Sequence, residues 1–86
     1  MYVILTYDVG VKRVAKVMKT CRKFLMHEQK SVFEGSLTNA ELSRLKSALV
    51  KLIKPDSDRV SIYEFQSLKY SSKERIGLIA DDNNVL

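Results

Sequence analysis

Lys12, Lys16, Lys19 and Lys23 recur at i, i+4, i+7 and i+11, the spacing that stacks side chains on one ridge of a helix. With Arg13 and Arg22 they make six cations between Val11 and Met26, and that stretch holds no acid. Like charges at this spacing repel by roughly 0.2–0.5 kcal/mol per pair. A helix meant only to be soluble would interleave glutamates. A line of ammonium groups neutralises phosphates without reading base sequence, and this is the chemistry the pattern offers. A plain solvated basic face is the other reading. Just ahead of the ridge stands Asp8, the one acid in the otherwise apolar, aromatic and β-branched run Met1–Val9.

The rest of the composition narrows the field. Cys21 is the only cysteine and His27 the only histidine, which excludes an internal disulfide and argues against a closed zinc site. There is no phosphate-cradling glycine loop, no Ser-His-Asp spacing and no cysteine-rich metal motif. Fifteen Lys and Arg against ten Asp and Glu give a net charge of +5, which favours acidic partners such as nucleic acid. The chain begins directly in a strand, with no basic leader, long apolar run or cleavage site, so neither export nor a membrane span is expected. A lone cysteine suits a reducing cytoplasm. At 86 residues the chain is one domain, small enough to bury only about 60% of its extended surface. With no disulfide or structural metal to stiffen it, oligomerisation is the expected remedy.

The elements that must position these residues can be read in order. Met1–Val9 ends at Gly10 and reads as a strand, with Val3, Leu5, Tyr7 and Val9 on one face and Tyr2, Ile4, Thr6 and Asp8 on the other. Neither face is cleanly polar, which predicts a strand inside the sheet, helices on one side and another layer opposite. If Val3, Leu5 and Tyr7 meet the helices, Asp8 points away from them. Val11–Met26 reads as a helix with Val14, Met18, Cys21 and Leu25 as its apolar stripe. His27–Thr38 has strand character, as one bent strand or two short ones, with Gly35 suggesting a kink or bulge. Thr38 and Glu41 form a capping box, and Leu37 and Leu42 a hydrophobic staple, at the start of a second helix. That helix buries Leu42, Leu45, Leu49 and Ile53, carries Lys51 and Lys54 at its end, and stops at Pro55.

After the turn Asp56–Asp58, the stretch Arg59–Gln66 reads as a strand with apolar residues on both faces. Tyr70–Lys73 reads as a polar connection, and Glu74–Ala80 as a last short strand. The expected fold is α+β: a ferredoxin-like antiparallel sheet with two helices on one face, as a homodimer. Residues 1–80 form the domain and 81–86 a C-terminal tail, either disordered or docked on a neighbour.

A set of motifs then resembles a known family. They are Tyr7-Asp8 at the first strand's end, Arg13 early in the first helix, Gln29-Lys-Ser-Val-Phe-Glu-Gly35, Leu37-Thr38 before a Leu-rich helix, and Asp58-Arg-Val-Ser-Ile-Tyr63. Together they resemble the small CRISPR-associated endoribonuclease family that also serves as adaptor to the CRISPR integrase in spacer acquisition. The resemblance runs from Tyr2 to about Gly77. It implies that Asp8 lies at a dimer interface and shares one magnesium ion with its symmetry mate. Two such carboxylates would otherwise repel, and a hard cation suits their oxygens. It further implies that Tyr7 and Arg13 join Asp8 in the catalytic set, with Arg13 placed to stabilise phosphate charge. Ser31 and Phe33 match supporting positions, and Tyr7 and Phe33 read first as packing residues. One departure stands out: His27 occupies the position where some members carry arginine.

The leading expectation is a homodimeric adaptor that binds duplex DNA through Lys12, Arg13, Lys16, Lys19 and Lys23 and bridges integrase subunits. The resemblance adds magnesium-dependent endonuclease activity, with single-stranded RNA as a further substrate. The alternative is a small dimeric ferredoxin-like RNA-binding or structural module without catalysis. No Lys/Arg-Gly-Phe/Tyr-Gly/Ala-Phe strand is present to offer stacking aromatics to RNA.

Overall fold

In the first strand, β1 (Tyr2–Asp8), alternation sorts the side chains as the pleat requires. Val3, Leu5 and Tyr7 are buried, Tyr2, Ile4 and Thr6 are half-buried, and Asp8 is exposed. The remaining elements of the computed structural model, which describes residues 1–69 and 71–77, are α1 (Val11–Arg22), β2 (Met26–Gln29), β3 (Val32–Ser36), α2 (Asn39–Leu52) and β4 (Arg59–Phe65). The sheet order is β2-β3-β1-β4, and every pairing is antiparallel. β1 is thus an interior strand, as its two apolar faces imply. This is the ferredoxin-like α+β arrangement.

The core lies between the sheet and the two helices. Val3, Leu5 and Phe33 from the sheet meet Val17 and Cys21 of α1 and Leu42, Leu45 and Leu49 of α2. Burial pushes the Cys21 thiol up to about 12, so it acts as a small apolar filler. Val17, completely buried, belongs to the α1 stripe beside the residues its spacing suggests. The start of α2 follows its sequence closely. The Thr38 hydroxyl accepts from the Glu41 amide at 3.1 Å and the Glu41 carboxylate accepts from the Thr38 amide at 2.8 Å, while Leu37 and Leu42 are both buried.

Three boundaries differ from expectation. α1 ends at Arg22 instead of Met26, because the Phe24 and Leu25 amides both turn back to the Cys21 carbonyl. Leu25 is buried there, and Met26 is released to pair with Glu34 in the sheet. His27–Thr38 resolves into two strands, and the turn falls at Lys30, whose φ is +22°, not at Gly35. The irregularity in pairing lies between His27 and Gln29. Gly35 instead answers a close approach: a Cβ there would stand 3.3 Å from Leu25 Cδ2. Finally, residues 74–77 carry no strand; residues 78–80 of that expected strand and the 81–86 tail lie outside the described residues.

The sheet face away from the helices is half covered by the chain itself. Lys73 pairs with Glu28 at 3.1 Å and with Glu34 at 3.0 Å, and Arg75 also pairs with Glu28. The Tyr2 hydroxyl donates to Glu34 from below. Residues 71–75 therefore cross from the β4 edge toward β2 over the Tyr2 end of β1. A groove of about 380 Å³ lined by Tyr2, Ile4, Phe65 and Leu68 is left beneath them. Among the described residues, none of those that cross the Tyr2 end reaches the Asp8 end of the same face, where Asp8 is exposed.

Candidate functional site

Asp8 stands at the last position of an interior strand, directly opposite Arg59 of β4 in the antiparallel register. Its placement follows from alternation: Tyr7 is anchored in the core, so its successor must point to the opposite face. Two shallow clefts meet at its carboxylate. One, about 360 Å³, is formed with Pro55, Asp56, Ser57, Asp58 and Arg59. The other, about 310 Å³, is formed with Tyr7, Val9, Val14, Met18, Lys30 and Ser31.

The expected neighbours of Asp8 divide into different roles. Tyr7 is only 7% exposed, and its ring lies 6.2 Å from that of Phe33 in a stacked arrangement. Burial raises its pKa, so its phenol stays protonated at neutral pH. The Tyr7 amide donates to the Ser31 carbonyl at 3.2 Å, which extends the β1–β3 ladder to the strand's end. Phe33 is completely buried and also stacks on His27 at 4.5 Å. His27 is further held by contact of Nε2 with the Lys30 carbonyl at 2.7 Å. Tyr7, Ser31 and Phe33 are thus joined under Asp8 as its foundation.

Arg13 is directed elsewhere. Its Nε donates to Asp58 Oδ2 at 2.5 Å and its Nη2 to Oδ1 at 2.9 Å, a two-point clasp of planar groups. The same carboxylate accepts the Gly10 amide at 2.9 Å and the Lys54 amide at 2.9 Å, and the Asp58 side chain has no exposed surface. The Arg13 guanidinium, then the Lys54 and Gly10 amides, hold the Asp58 carboxyl far below the usual carboxylate range. Asp58 therefore ties the turn after Asp8 and the start of α1 to the end of α2. From sequence it reads as a turn residue. The only local signals are an acid just before a strand and the Lys54 amide four residues earlier, whereas Arg13 and Gly10 lie 45 and 48 residues away.

The ridge lysines are placed as their spacing implies. Lys12, Lys16 and Lys19 are exposed on α1, and Lys23 is exposed at its C-cap. None of the four makes an ion pair among the described residues. Nor do the described residues contain a group of three or more His, Cys, Asp or Glu able to hold a metal ion. Asp56 and Asp58 line one cleft with Asp8, but the Asp58 carboxylate is committed to Arg13. No helix among the described residues is long and apolar enough to cross a membrane.

The chain is thus a small ferredoxin-like sandwich with an exposed acid at the end of its interior strand and a basic helix whose four ridge lysines make no ion pair among the described residues. Comparison with known proteins makes this specific. Residues 1–73 match the family model described as CRISPR associated protein Cas2. A CRISPR-associated endoribonuclease Cas2 from Methanosarcina acetivorans is 44% identical over 87 residues, covering 100% of both chains. The protein of that description from Pyrococcus furiosus is 46% identical over 78 residues, covering 91% of this chain and 89% of its own. A crystal structure of a Cas2 protein superposes with TM-score 0.83 at 38% identity, covering 100% of this chain and 97% of that one. Streptococcus pyogenes Cas2, crystallised at pH 6.5, gives 0.76 at 32% identity, covering 90% and 100%. The chain belongs to the CRISPR-associated Cas2 family.

Proposed function

We propose that this protein is a homodimeric adaptor for CRISPR spacer acquisition, binding duplex DNA along α1 and bridging subunits of the CRISPR integrase in the cytoplasm. The observation that carries the reading is the α1 ridge: Lys12, Lys16, Lys19 and Lys23 exposed together on an element without a single acid. A rigid two-layer body carrying such ridges sets the distance between the ends of a bound duplex by geometry, without base readout. The second copy would meet the Asp8 end of the sheet, where Asp8 is exposed among the described residues. Arg13 supports the site through Asp58 and Gly10, and leaves phosphate contact to the lysines. The test is duplex affinity as a function of salt for the wild type and for the Lys16→Glu/Lys19→Glu variant. The variant is expected to bind weakly and with a shallower salt slope; unchanged affinity and slope would defeat the reading.

A second, compatible reading is magnesium-dependent endonuclease activity. It is favoured by the exposed carboxylate of Asp8 and by relatives named as endoribonucleases. One carboxylate is too few oxygen ligands for a divalent cation, but two Asp8 side chains brought together across a dimer axis would form a donor set suited to a hard cation. A cation held there supplies activation of water for attack on a phosphodiester. In this reading Asp8 holds the cation, Tyr7, Ser31 and Phe33 fix its strand end, and Arg13 fixes the turn that follows. Cleavage of RNA and of duplex DNA with magnesium is compared for wild type and Asp8→Ala, purified identically. Loss of cutting with the dimer intact supports the paired site, and equal cutting by both removes it.

A further inference from the structure

α2 carries a second line of cations that the α1 ridge does not include. At about 100° per residue, Leu42, Leu45 and Leu49 point to the sheet while Arg44, Ser47 and Lys51 point the opposite way. All three of the latter are exposed. The two flanks of α2 differ: Glu41, Ala48 and Leu52 are half-buried on one, whereas Ser43 and Val50 are exposed on the other. The half-buried flank faces α1, and Arg44 and Lys51 lie between it and the outward direction, so they lean toward α1. On α1, Arg13 and Thr20 are half-buried on the flank from which Arg13 reaches Asp58, beyond the end of α2. Lys12, Lys16 and Lys23 lean the same way, toward α2. Because Asp58 joins the start of α1 to the end of α2, Lys51 lies nearer the Lys12 end of the ridge and Arg44 nearer the Lys23 end.

Charge along this seam is not balanced locally. α1 has no acid, and Glu41 is the single acid of α2, its carboxylate engaged by the Thr38 amide. Arg44 feels Glu41 enough to lower that acid's pKa further, after the larger effect of the Thr38 hydrogen bonds. Neither Arg44 nor Lys51 makes an ion pair among the described residues. Lys46 of the same helix meets Glu64, and beyond the helices Lys73 meets Glu28 and Glu34 and Arg75 meets Glu28.

Resting on the duplex-binding reading, we infer that the α1/α2 seam binds both strands of a nucleic-acid duplex, Arg44 and Lys51 taking the phosphates of one strand and the α1 lysines those of the other. Packed helices lie roughly 8–10 Å apart. That spacing sets two cation lines side by side along one seam, and a duplex, which carries two phosphate backbones, can engage both at once. A single strand engages one line at a time.

The test measures binding of a short duplex, and of one of its strands alone, to the full chain across about 50–200 mM salt, the range over which phosphate contacts report. Arg44→Gln/Lys51→Gln removes the charges without adding repulsion, and Arg44→Glu/Lys51→Glu reverses them; circular dichroism confirms folding of each. For the neutral pair the duplex salt slope is expected to fall by about 1.8, roughly a tenfold smaller affinity change over that range, with single-strand binding little altered. A wild-type duplex slope in the neutral pair, with Lys16→Glu/Lys19→Glu still defective, overturns the α2 line and leaves duplex binding standing. Equal losses on duplex and single strand overturn the two-strand arrangement. No loss in any of these variants overturns the inference together with the duplex reading beneath it.

Discussion

Arg13 and the ridge lysines are cations of one helix, yet the fold places them differently, and the tasks proposed for them are open to a quantitative test. The Arg13 guanidinium is committed to Asp58 at 2.5 and 2.9 Å and its side chain is only 21% exposed. Lys12, Lys16, Lys19 and Lys23 are exposed and unpaired among the described residues. Each phosphate neutralised on duplex DNA contributes about 0.9 to the salt slope, so four lysines each meeting one phosphate, as proposed, would together contribute about 3.6. Between about 50 and 200 mM salt that slope corresponds to a roughly 150-fold loss of affinity. Replacing the lysines by glutamine one at a time should therefore lower the slope in steps of about 0.9. Arg13→Gln should leave the slope where it was and instead lower the melting temperature, because Asp58 loses its charged partner inside the fold. Fluorescence anisotropy on a labelled duplex, with thermal melts of each variant, reads both quantities. A drop of about 0.9 in the slope for Arg13→Gln, with an unchanged melt, would refute the assignment of Arg13 to the scaffold.

The remaining expectations concern the frame that carries Asp8 and the ridge. Phe33, completely buried between Tyr7 and His27, should cost about 3–5 kcal/mol on truncation to alanine, measured by chemical denaturation. Thr38→Ala should cost about 1 kcal/mol by the same measurement, because it removes the hydroxyl that accepts from the Glu41 amide. Asp58 is held ionised by Arg13 and by the Lys54 and Gly10 amides, so its folded-state pKa lies below its unfolded value near 3.9. Its contribution is complete above that value and is lost as pH falls below it. Stability measured against pH should accordingly drop more steeply below about pH 4 in the wild type than in Asp58→Asn.

Much of the frame is legible because it is written in local patterns. Two apolar faces place Met1–Val9 inside the sheet, and alternation from the anchored Tyr7 sends Asp8 to the open face. The Thr38–Glu41 box and the Leu37–Leu42 staple mark the start of α2 within five residues of sequence. What sequence conceals is set by distant partners. Asp58 becomes the clasp of the site only when Gly10, Arg13 and Lys54 are brought to it. The end of α1 is decided by the pairing of Met26 with Glu34, which a helical period does not record. The crossing of residues 71–75 depends on Glu28 and Glu34, more than thirty-five residues earlier in the chain. Helical spacing could have found the Arg44/Lys51 line, but its convergence with the α1 ridge needs the packed pair.

The most direct measurement is spacer integration reconstituted with the CRISPR integrase and a duplex substrate, comparing wild type, Lys16→Glu/Lys19→Glu and Asp8→Asn. An adaptor that works through the basic ridge is expected to lose integration in the lysine variant and to keep it in Asp8→Asn. Wild-type integration by the lysine variant, or its loss in a folded, dimeric Asp8→Asn protein, would contradict the account.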